Sequence, residues 1–335
     1  MIPKLHSADG ILPALMTLVS RAGSIAITSH QNPDGDGHVA ALALQRFLLC
    51  KGIQADIVTD GDDLKRFDFL GETSGVVPYS EAMSYDLLIV LDCNSMDRLG
   101  LRQKLVSVAK ATVVIDHHVL EHNPIPADYH YIETAYVSVG AILFRALETE
   151  LALVPDNDRL FMANCFWTTI LNDTNNFTNA NTDSFVFAMA RDLMAYGIKP
   201  HILYKEFFQN HSAAEMRFVG ETLSTIRLHL NDRILFMHST KEMQLRNGIE
   251  PEAIMSVTRW VQGTAGLDAI VYFCEKEPGI WKLSLRSLKL NVQAIAAKYG
   301  GGGHIKASGC TLEGNLSYIE EIILADLTDA LANHA

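Results

Sequence analysis

The sequence predicts an α/β protein with a parallel-sheet α/β N-terminal domain, a helical connector and a smaller α/β C-terminal domain. Three observations predict this organisation. Short, almost continuously apolar runs alternate with helical patterns through the first half of the chain, as in βαβ units of a parallel sheet. A Gly-Pro break follows, and a second series of strand and helix patterns begins after it. The length of 335 residues is sufficient for two domains of ordinary size.

The first half contains several strand candidates, each almost continuously apolar. They are residues 24–29, 54–59, 86–92 and 111–116. Helical patterns lie between and after them, at residues 38–50, 101–109, 137–150, 157–171 and 182–196. Because strands that are buried on both faces belong to parallel sheets, we expect ligands to bind beyond the carboxyl ends of these strands.

The segment Gly197-Ile198-Lys199-Pro200 interrupts the helical patterns, since Gly ends helices and Pro begins them. We therefore assign residues 1–197 to the N-terminal domain, 198–230 to a helical linker and 231–335 to the C-terminal domain. The C-terminal domain has strand candidates at 233–237, 268–274 and 281–286, and helix candidates at 252–261, 291–299 and 317–332.

Carboxylates and imidazoles stand where the apolar segments of the first domain end. They are His30, Asp34, Asp36, Asp92, Asp116, His117, His118 and Asp173. Any one of them alone suits a helix cap, an Asx-turn or a solvated loop. Four segments of this kind in one domain instead predict a metal cluster at the mouth of the sheet.

This donor set contains oxygen and imidazole ligands but no thiolate. Such a mixture favours Mn²⁺, with Mg²⁺ or Co²⁺ as alternatives, over a structural zinc site. Gly35 and Gly37 let the first of the four turns approach a ligand closely. Two ions about 3.5–4 Å apart would generate a hydroxide and hold the oxygens of a reacting phosphate. The sequence therefore predicts a cofactor of two divalent metal ions.

The order of these residues resembles the four motifs of the DHH phosphoesterase superfamily. The matching segments are His30-x-x-x-Asp34-x-Asp36, Asp92, Asp116-His117-His118 and Asp173. The resemblance implies one ion on His30, Asp34 and Asp92. It implies a second ion on Asp36, Asp92, His117 and Asp173, with Asp92 bridging the two. It also implies that His118 faces the substrate phosphate, so that Asp92 and His118 are the catalytic residues. Asp116 ends its strand and either orients a neighbouring group or serves as a structural hydrogen-bonding residue.

Two segments near the C-terminus resemble the signatures of the DHH-associated domain, Ser284-Leu285-Arg286-Ser287 and Gly301-Gly302-Gly303-His304. Taken alone, the glycine run suits a flexible joint equally well, but its place between a helix and a histidine favours a backbone cradle for phosphate. The planar guanidinium of Arg286 matches phosphate oxygens, although Arg286 could equally be a solvent-exposed residue of a strand. The predicted substrate-binding residues are Arg286, Ser287, Gly302, Gly303 and His304.

Two departures from the family pattern concern the substrate cleft. The chain has Val39-Ala40 where relatives often have Gly-Ser, and Asn175 where relatives usually place Gly after Asp-Thr. Neither change removes a predicted metal ligand.

The length and layout are most similar to the bacterial oligoribonuclease (nanoRNase)/pAp-phosphatase branch of the superfamily. This implies a hydrolase, of exonuclease type, for short single-stranded oligoribonucleotides, adenosine 3′,5′-bisphosphate (pAp), or both. A pyrophosphatase or exopolyphosphatase is the alternative, because relatives with the same metal-binding half catalyse those reactions. A catalytically silent nucleotide-binding regulator is a third interpretation, and the complete set of ligands disfavours it.

Composition restricts the partners. A formal net charge of −12 disfavours long duplex nucleic acid, whose binding depends on basic residues that neutralise phosphates. No apolar run approaches the roughly 20 residues that span a bilayer, and the N-terminus lacks the pattern of a signal peptide, so we expect no membrane association. Five dispersed cysteines without a C-x-x-C pair favour the reducing cytoplasm. A homodimer is left open.

Overall fold

The computed structural model describes residues 8–61, 64–71, 74–120, 122–249 and 257–333. The chain divides into two compact units, Met1–Asn210 and His211–Ala335, and the division falls inside the predicted linker 198–230. Among the described residues, each unit contains a six-stranded sheet with helices packed against it. The predicted α/β fold class is therefore confirmed.

The sheet of the first unit is parallel throughout, in the order β3-β2-β1-β4-β5-β6. Its strands are β1 (Ile25–Thr28), β2 (Asp56–Thr59), β3 (Val76–Pro78), β4 (Leu87–Leu91), β5 (Ala111–Asp116) and β6 (Tyr129–Ile132). The four predicted strands are confirmed as β1, β2, β4 and β5. The two edge strands were missed, because β3 has three residues including a proline and β6 alternates aromatic residues with His130.

The helices of the first unit agree with the predicted patterns at most positions. They are α1 (Ala8–Val19), α2 (Gly37–Cys50), α3 (Gln103–Val108), α4 (Val139–Leu151), α5 (Asp156–Asp173), α6 (Ser184–Ala195) and α7 (Pro200–Phe208). Side chains of Ser138 and Asp183 accept the backbone N–H groups of Ala141 and Val186 in the first turns of α4 and α6. None of the described helices in the whole chain combines the length and apolar character that crossing a bilayer requires.

The strand order places a topological switch point between β1 and β4. The chain runs from β1 outward to β3 on one side, and from β4 outward to β6 on the other. Loops that leave the carboxyl ends of β1 and β4 therefore diverge and leave a crevice between them, where ligands bind in sheets of this kind. The residues that follow these two strands include His30 and Asp92.

The sheet of the second unit has the order β11-β12-β10-β9-β8-β7, and all its pairs are antiparallel except β8 with β9. Its strands are β7 (Arg227–His229), β8 (Ile234–Ser239), β9 (Ala269–Glu277), β10 (Ile280–Ser287), β11 (Gly302–His304) and β12 (Ala307–Glu313). Its helices are α8 (Ala213–Ser224), α9 (Lys241–Asn247), α10 (Val292–Lys298) and α11 (Leu316–Ala332).

Two predictions for the second half of the chain need correction. Residues 198–230, predicted as a helical linker, contain α7, α8 and the strand β7. Of the predicted helix 252–261, residues 252–256 lie outside the described residues, and Val257–Trp260 forms a short 3-10 turn. The glycine run is partly a strand, because Gly302–His304 pairs with β12.

The two faces of the second sheet are covered differently. One face packs on α10 and α11 through residues such as Leu283, Leu285 and Ile323. On the other face, residues of α8 and α9 cover β8 and β9, and Ile270 and Tyr272 are buried there. The same face continues over β10, β12 and β11, where the next side chains along the ladder are more exposed.

Candidate functional site

The predicted metal ligands of the first unit come together at the carboxyl edge of its sheet. Side chains that follow β1, β4 and β5 meet a side chain from the end of α5. Two sets of three ligand atoms each lie close enough to hold a common ion. The sets are His30, Asp34 and Asp92, and Asp36, His117 and Asp173. The structure thus brings together all six predicted ligands.

The turn after β1 orients the first set. Asp34 Oδ1 accepts the backbone N–H groups of Asp36 and Gly37 at 2.9 and 3.3 Å, which makes an Asx-turn at the start of α2. His30 Nδ1 lies 2.8 Å from the carbonyl oxygen of Gln31. A proton on Nδ1 leaves Nε2 as the ligand atom, and Nε2 lies 3.8 Å from Asp34 Oδ1 and 3.5 Å from Asp92 Oδ2.

Gly35 and Gly37 allow this turn to sit against the other ligands, as predicted. A Cβ at Gly37 would lie 3.1 Å from Asp92 Oδ2, and a Cβ at Gly35 would lie 2.9 Å from Asn172 Oδ1. A side chain at either position would therefore push the turn away from the ends of β4 and α5.

The N-terminus of α4 holds Asp36 in place. Its two carboxylate oxygens accept the backbone N–H groups of Val139 at 2.6 Å and Gly140 at 3.0 Å. Asp36 is fully buried, so these hydrogen bonds offset part of its lost hydration. This contact joins residues that are far apart in the chain, so no local sequence pattern predicts it.

His117 joins the second set to Asp92. Its Nε2 lies 3.7 Å from Asp36 Oδ2 and 3.4 Å from both Asp173 Oδ2 and Asp92 Oδ1. The two oxygens of Asp92 therefore face different sets, Oδ2 toward His30 and Oδ1 toward His117.

Two buried oxygens in the cluster show that it suits a cation. Among the described residues, Asp92 Oδ1 and Asp173 Oδ2 accept no hydrogen bond, although both are shielded from solvent. Buried carboxylate oxygens without donors are unfavourable unless they are paired or bind a metal. Neighbouring ligand atoms of an octahedral Mg²⁺ lie about 2.1 Å from the ion and therefore roughly 3 Å from one another. In this cluster the imidazole nitrogens lie slightly farther, 3.4–3.8 Å, from the carboxylate oxygens.

The pKa values in the cluster reflect an excess of negative charge. Burial raises the pKa of Asp173 to about 7, with help from the charges of Asp34 and Asp92. Burial lowers the pKa of His30, but contacts with Asp34 and Asp92 outweigh it and raise this pKa to about 10. Burial also disfavours the charged form of Asp92, yet three neighbouring imidazoles hold its pKa well below the usual range. Protons on His30 and Asp173 therefore offset negative charge of the cluster that bound divalent cations would otherwise offset.

The turn after α5 departs from the family pattern without disturbing Asp173. Asn175, Asn176 and Phe177 all have positive φ, at 46°, 58° and 62°. Asn adopts this left-handed conformation more readily than most residues, so Asn175 can replace the glycine that relatives usually have there. Asn172 was also missed by the sequence analysis, and its amide contacts Asp34 Oδ2 at 3.2 Å and Asp173 Oδ1 at 2.7 Å.

In the second unit, Arg286 stands on the more exposed part of the sheet face. Its guanidinium donates to the Leu285 carbonyl, and it forms no ion pair with any described acidic residue. Desolvation lowers its pKa. Ile270 lies opposite it on β9, but toward β12 and β11 the neighbouring positions have small side chains or none: Ser284, Gly302, Ala307 and Gly309. A partly desolvated guanidinium with small residues beside it is suited to bind an anionic ligand.

The other predicted substrate-binding residues occupy the same end of this sheet. Ser287 is buried, and its hydroxyl donates to the Asp268 carbonyl and accepts from the N–H groups of Lys289 and Leu290. The backbones of Gly302, Gly303 and His304 form β11. A Cβ at Gly303 would meet Ala307 O at 2.7 Å, whereas nothing lies within 4 Å of one at Gly302. Contacts of all four residues with substrate stay a prediction.

Two family models match the chain. The model of the DHH family, N-terminal domain, matches residues 24–166, and that of the DHHA1 domain matches residues 237–333. The predicted ligands from His30 to His118 lie in the first match. Arg286 and the glycine run lie in the second.

Curated relatives and a solved structure span nearly the same length as this chain. The bifunctional oligoribonuclease and PAP phosphatase NrnA of Thermus thermophilus is 29% identical over 293 residues, covering 87% of this chain and 85% of that protein. The protein of the same name from Mycoplasma genitalium is 25% identical over 316 residues, covering 94% and 96%. The crystal structure of an exopolyphosphatase-related protein from Bacteroides fragilis has a TM-score of 0.83 at 20% identity, covering 96% and 95%, which shows a shared fold.

Proposed function

Since this chain belongs to the DHH family and is a hydrolase of phosphoester bonds, we propose that it uses two divalent metal ions to cleave short oligoribonucleotides and pAp. Mn²⁺ is the proposed metal, because the donors are carboxylates and imidazoles without thiolates. The names of the Thermus and Mycoplasma relatives support the substrate class.

The position of Asp92 is the observation that carries the proposal. Its two carboxylate oxygens face two separate sets of ligands, His30 with Asp34 and His117 with Asp36 and Asp173. One carboxylate between two sets is the arrangement that two bridged ions require. Ions bound there would supply Lewis acidity and an activated water at neutral pH.

The chain's own residues then hold the reacting groups. His118 Nδ1 lies 2.9 Å from Asp116 Oδ1 and 3.2 Å from Asp92 Oδ1, and we assign its Nε2 to contact with a substrate phosphate. Burial lowers the pKa of His118, but Asp116 and Asp92 raise it to about 10. A protonated imidazole at neutral pH would donate to a phosphate oxygen.

We assign recognition of the substrate's phosphate to the second unit. Arg286 lacks an acidic partner among the described residues, and β11, which contains Gly302 and Gly303, is the edge strand of the same sheet. A short, single-stranded or mononucleotide substrate fits this role better than a long duplex, since the chain has a net charge of −12. The five cysteines are unpaired, which is usual in the cytoplasm, the compartment that we propose.

A substrate panel with the Mn²⁺-loaded protein tests the proposal. We expect hydrolysis of pAp and of diribonucleotides at kcat/KM values at least tenfold above that of pyrophosphate. Pyrophosphate as the preferred substrate would favour the pyrophosphatase alternative. No turnover of any phosphoester or phosphoanhydride by metal-loaded protein would favour a regulator.

A matched pair of variants tests the role of Arg286. Charged hydrogen bonds to phosphate contribute about 1.5–3 kcal/mol, so Arg286→Ala should lower kcat/KM for pAp by roughly tenfold to a hundredfold. Lys282→Ala removes the same charge from an exposed position of the same strand, β10, and should leave kcat/KM within about threefold. Equal effects of the two substitutions would mean that Arg286 acts only through long-range charge.

A further inference from the structure

Asn94 is a buried polar residue that neither the metal cluster nor the family motifs explain. It lies two residues after Asp92 and is completely buried. Its side-chain amide donates to Asp116 Oδ2 at 2.7 Å and to the Val119 carbonyl at 3.2 Å, and it makes a longer contact with the His118 carbonyl at 3.5 Å. The amide therefore joins the loop after β4 to the segment that carries His117 and His118.

Asp116 links Asn94 to His118 through hydrogen bonds. Its Oδ1 accepts the backbone N–H groups of His117 at 2.7 Å and His118 at 3.1 Å, and it lies 2.9 Å from His118 Nδ1. Its Oδ2 accepts from Asn94. Both oxygens of this fully buried carboxylate are thus occupied by donors from the protein, which suits a residue that orients His118 better than a metal ligand.

We propose that Asn94 is a positioning residue that fixes the imidazole of His118 through Asp116. A carboxylate held by one donor on Oδ2 cannot rotate without losing that hydrogen bond, so Asn94 sets the plane in which Oδ1 meets the imidazole. His118 Nε2 is thereby directed toward the place where a phosphate oxygen would lie. The inference rests on the proposed function, because it assigns His118 to the substrate.

A purely structural role of Asn94 predicts a different outcome from a role through His118. The amide also holds the backbone at Val119, so its loss could merely loosen the loop. Ser95 provides a matched control, since it is equally buried and its hydroxyl donates to the His122 carbonyl of the same loop without touching Asp116. A double-mutant cycle with His118 separates the two roles, because coupled residues give non-additive effects.

The experiment measures kcat/KM for pAp in Mn²⁺-loaded wild type, Asn94→Ala, His118→Ala, the double variant and Ser95→Ala. We expect Asn94→Ala to lower kcat/KM by about tenfold to a hundredfold, as is typical when the partner that orients a functional side chain is removed. In the His118→Ala background the same substitution should change kcat/KM by less than about threefold. Ser95→Ala should also stay within about threefold, and Mn²⁺ content should be equal in all variants.

Equal losses from Asn94→Ala with and without His118 would overturn the inference, as would a loss of Mn²⁺ or a wild-type rate in Asn94→Ala. If the alanine variant does not fold, Asn94→Leu replaces it in the same cycle, because leucine has a similar branched shape but no hydrogen-bond donor. Inactive wild type on pAp would contradict the proposed function instead. A crystal structure of the variant would then decide: a displaced His118 imidazole supports the inference, and an unmoved imidazole overturns it.

Discussion

Asp92 has a backbone conformation that few residues other than glycine adopt, with φ at +57°. Such a conformation is unfavourable by on the order of 1–3 kcal/mol and persists where the surroundings impose it. Here the Asp92 N–H donates to the Ile115 carbonyl at 3.0 Å, and the carboxylate is buried among three imidazoles. Strain in a residue that faces both ligand sets agrees with its proposed place between two ions.

Replacement of Asp92 should therefore stop catalysis without unfolding the chain. Asp92→Ala removes the shared ligand, and we expect kcat to fall by more than a hundredfold, equivalent to about 3 kcal/mol of barrier. Its circular dichroism spectrum should match that of wild type. Asp97→Ala, which removes a nearby exposed carboxylate that accepts a hydrogen bond from the Asn123 side chain, should keep its activity. More than about a tenth of wild-type kcat in folded Asp92→Ala would rule out the bridging role.

The pKa values of the cluster predict how pH changes metal affinity. Asp34 and Asp92 raise the pKa of His30 to about 10 against the opposing effect of burial, and burial raises that of Asp173 to about 7. Ions must displace these protons to bind, so affinity falls as pH falls. The apparent Kd for Mn²⁺, measured calorimetrically from pH 6 to 8, should decrease about tenfold per pH unit for each proton released.

The control for this titration is a variant in which an exposed histidine outside the metal cluster is replaced. His201→Gln, at the start of α7, should give the same slope as wild type. A Kd for Mn²⁺ that is constant over the whole pH range would contradict the protonation states assigned to the cluster.

At the scale of elements, the strands that could be predicted from the sequence are those inside the first sheet, where packing on both faces requires apolar residues. β1, β4 and β5 lie inside the sheet, so both faces must be apolar, and polar ligands at their ends stand out. Edge strands such as β3 lack this constraint and were missed. Contacts between distant residues, such as Asn94 with Asp116 or Asp36 with α4, leave no local pattern, so sequence reasoning could not find them.

Two neighbouring residues of the glycine run are expected to affect different properties, Gly301 the stability of the fold and Gly302 the binding of substrate. A Cβ at Gly301 would meet the Gly309 carbonyl oxygen at 2.2 Å, but nothing lies within 4 Å of a Cβ at Gly302. Overpacking typically destabilises by 1–3 kcal/mol, so Gly301→Ala should lower the free energy of unfolding by about that amount. Gly302→Ala should change it by less than about 0.5 kcal/mol and yet weaken binding of pAp, as measured by calorimetry.

Two outcomes would count against a phosphate cradle at β11. One is unchanged pAp affinity in Gly302→Ala. The other is a loss of stability equal to that of Gly301→Ala, which would make both glycines structural.

At the scale of the whole molecule, the net charge of −12 sets limits on the substrate. A long polyanion gains affinity only where basic residues neutralise its phosphates, and repulsion from an acidic surface grows with its length. Cations bound at the cluster would provide positive charge locally. The charge balance therefore favours substrates that are short enough to stay near the cluster.

Substrate length gives a direct prediction. The kcat/KM of the Mn²⁺-loaded protein should be highest for RNAs of about two to five nucleotides and should decline toward about two dozen nucleotides. The decline should become shallower as salt rises, because salt screens the repulsion. A kcat/KM that increases steadily with length would instead indicate a processive exonuclease.

The most direct test of the central proposal is a Mn²⁺ titration of chelator-treated protein, in which bound metal and pAp hydrolysis are measured on the same samples. We predict no activity after exhaustive treatment with EDTA, and recovery in parallel with the binding of two Mn²⁺ per chain. Asp92→Ala, titrated in the same way, should fail to recover. Full hydrolysis by protein in which elemental analysis detects no metal would contradict a two-metal phosphoesterase.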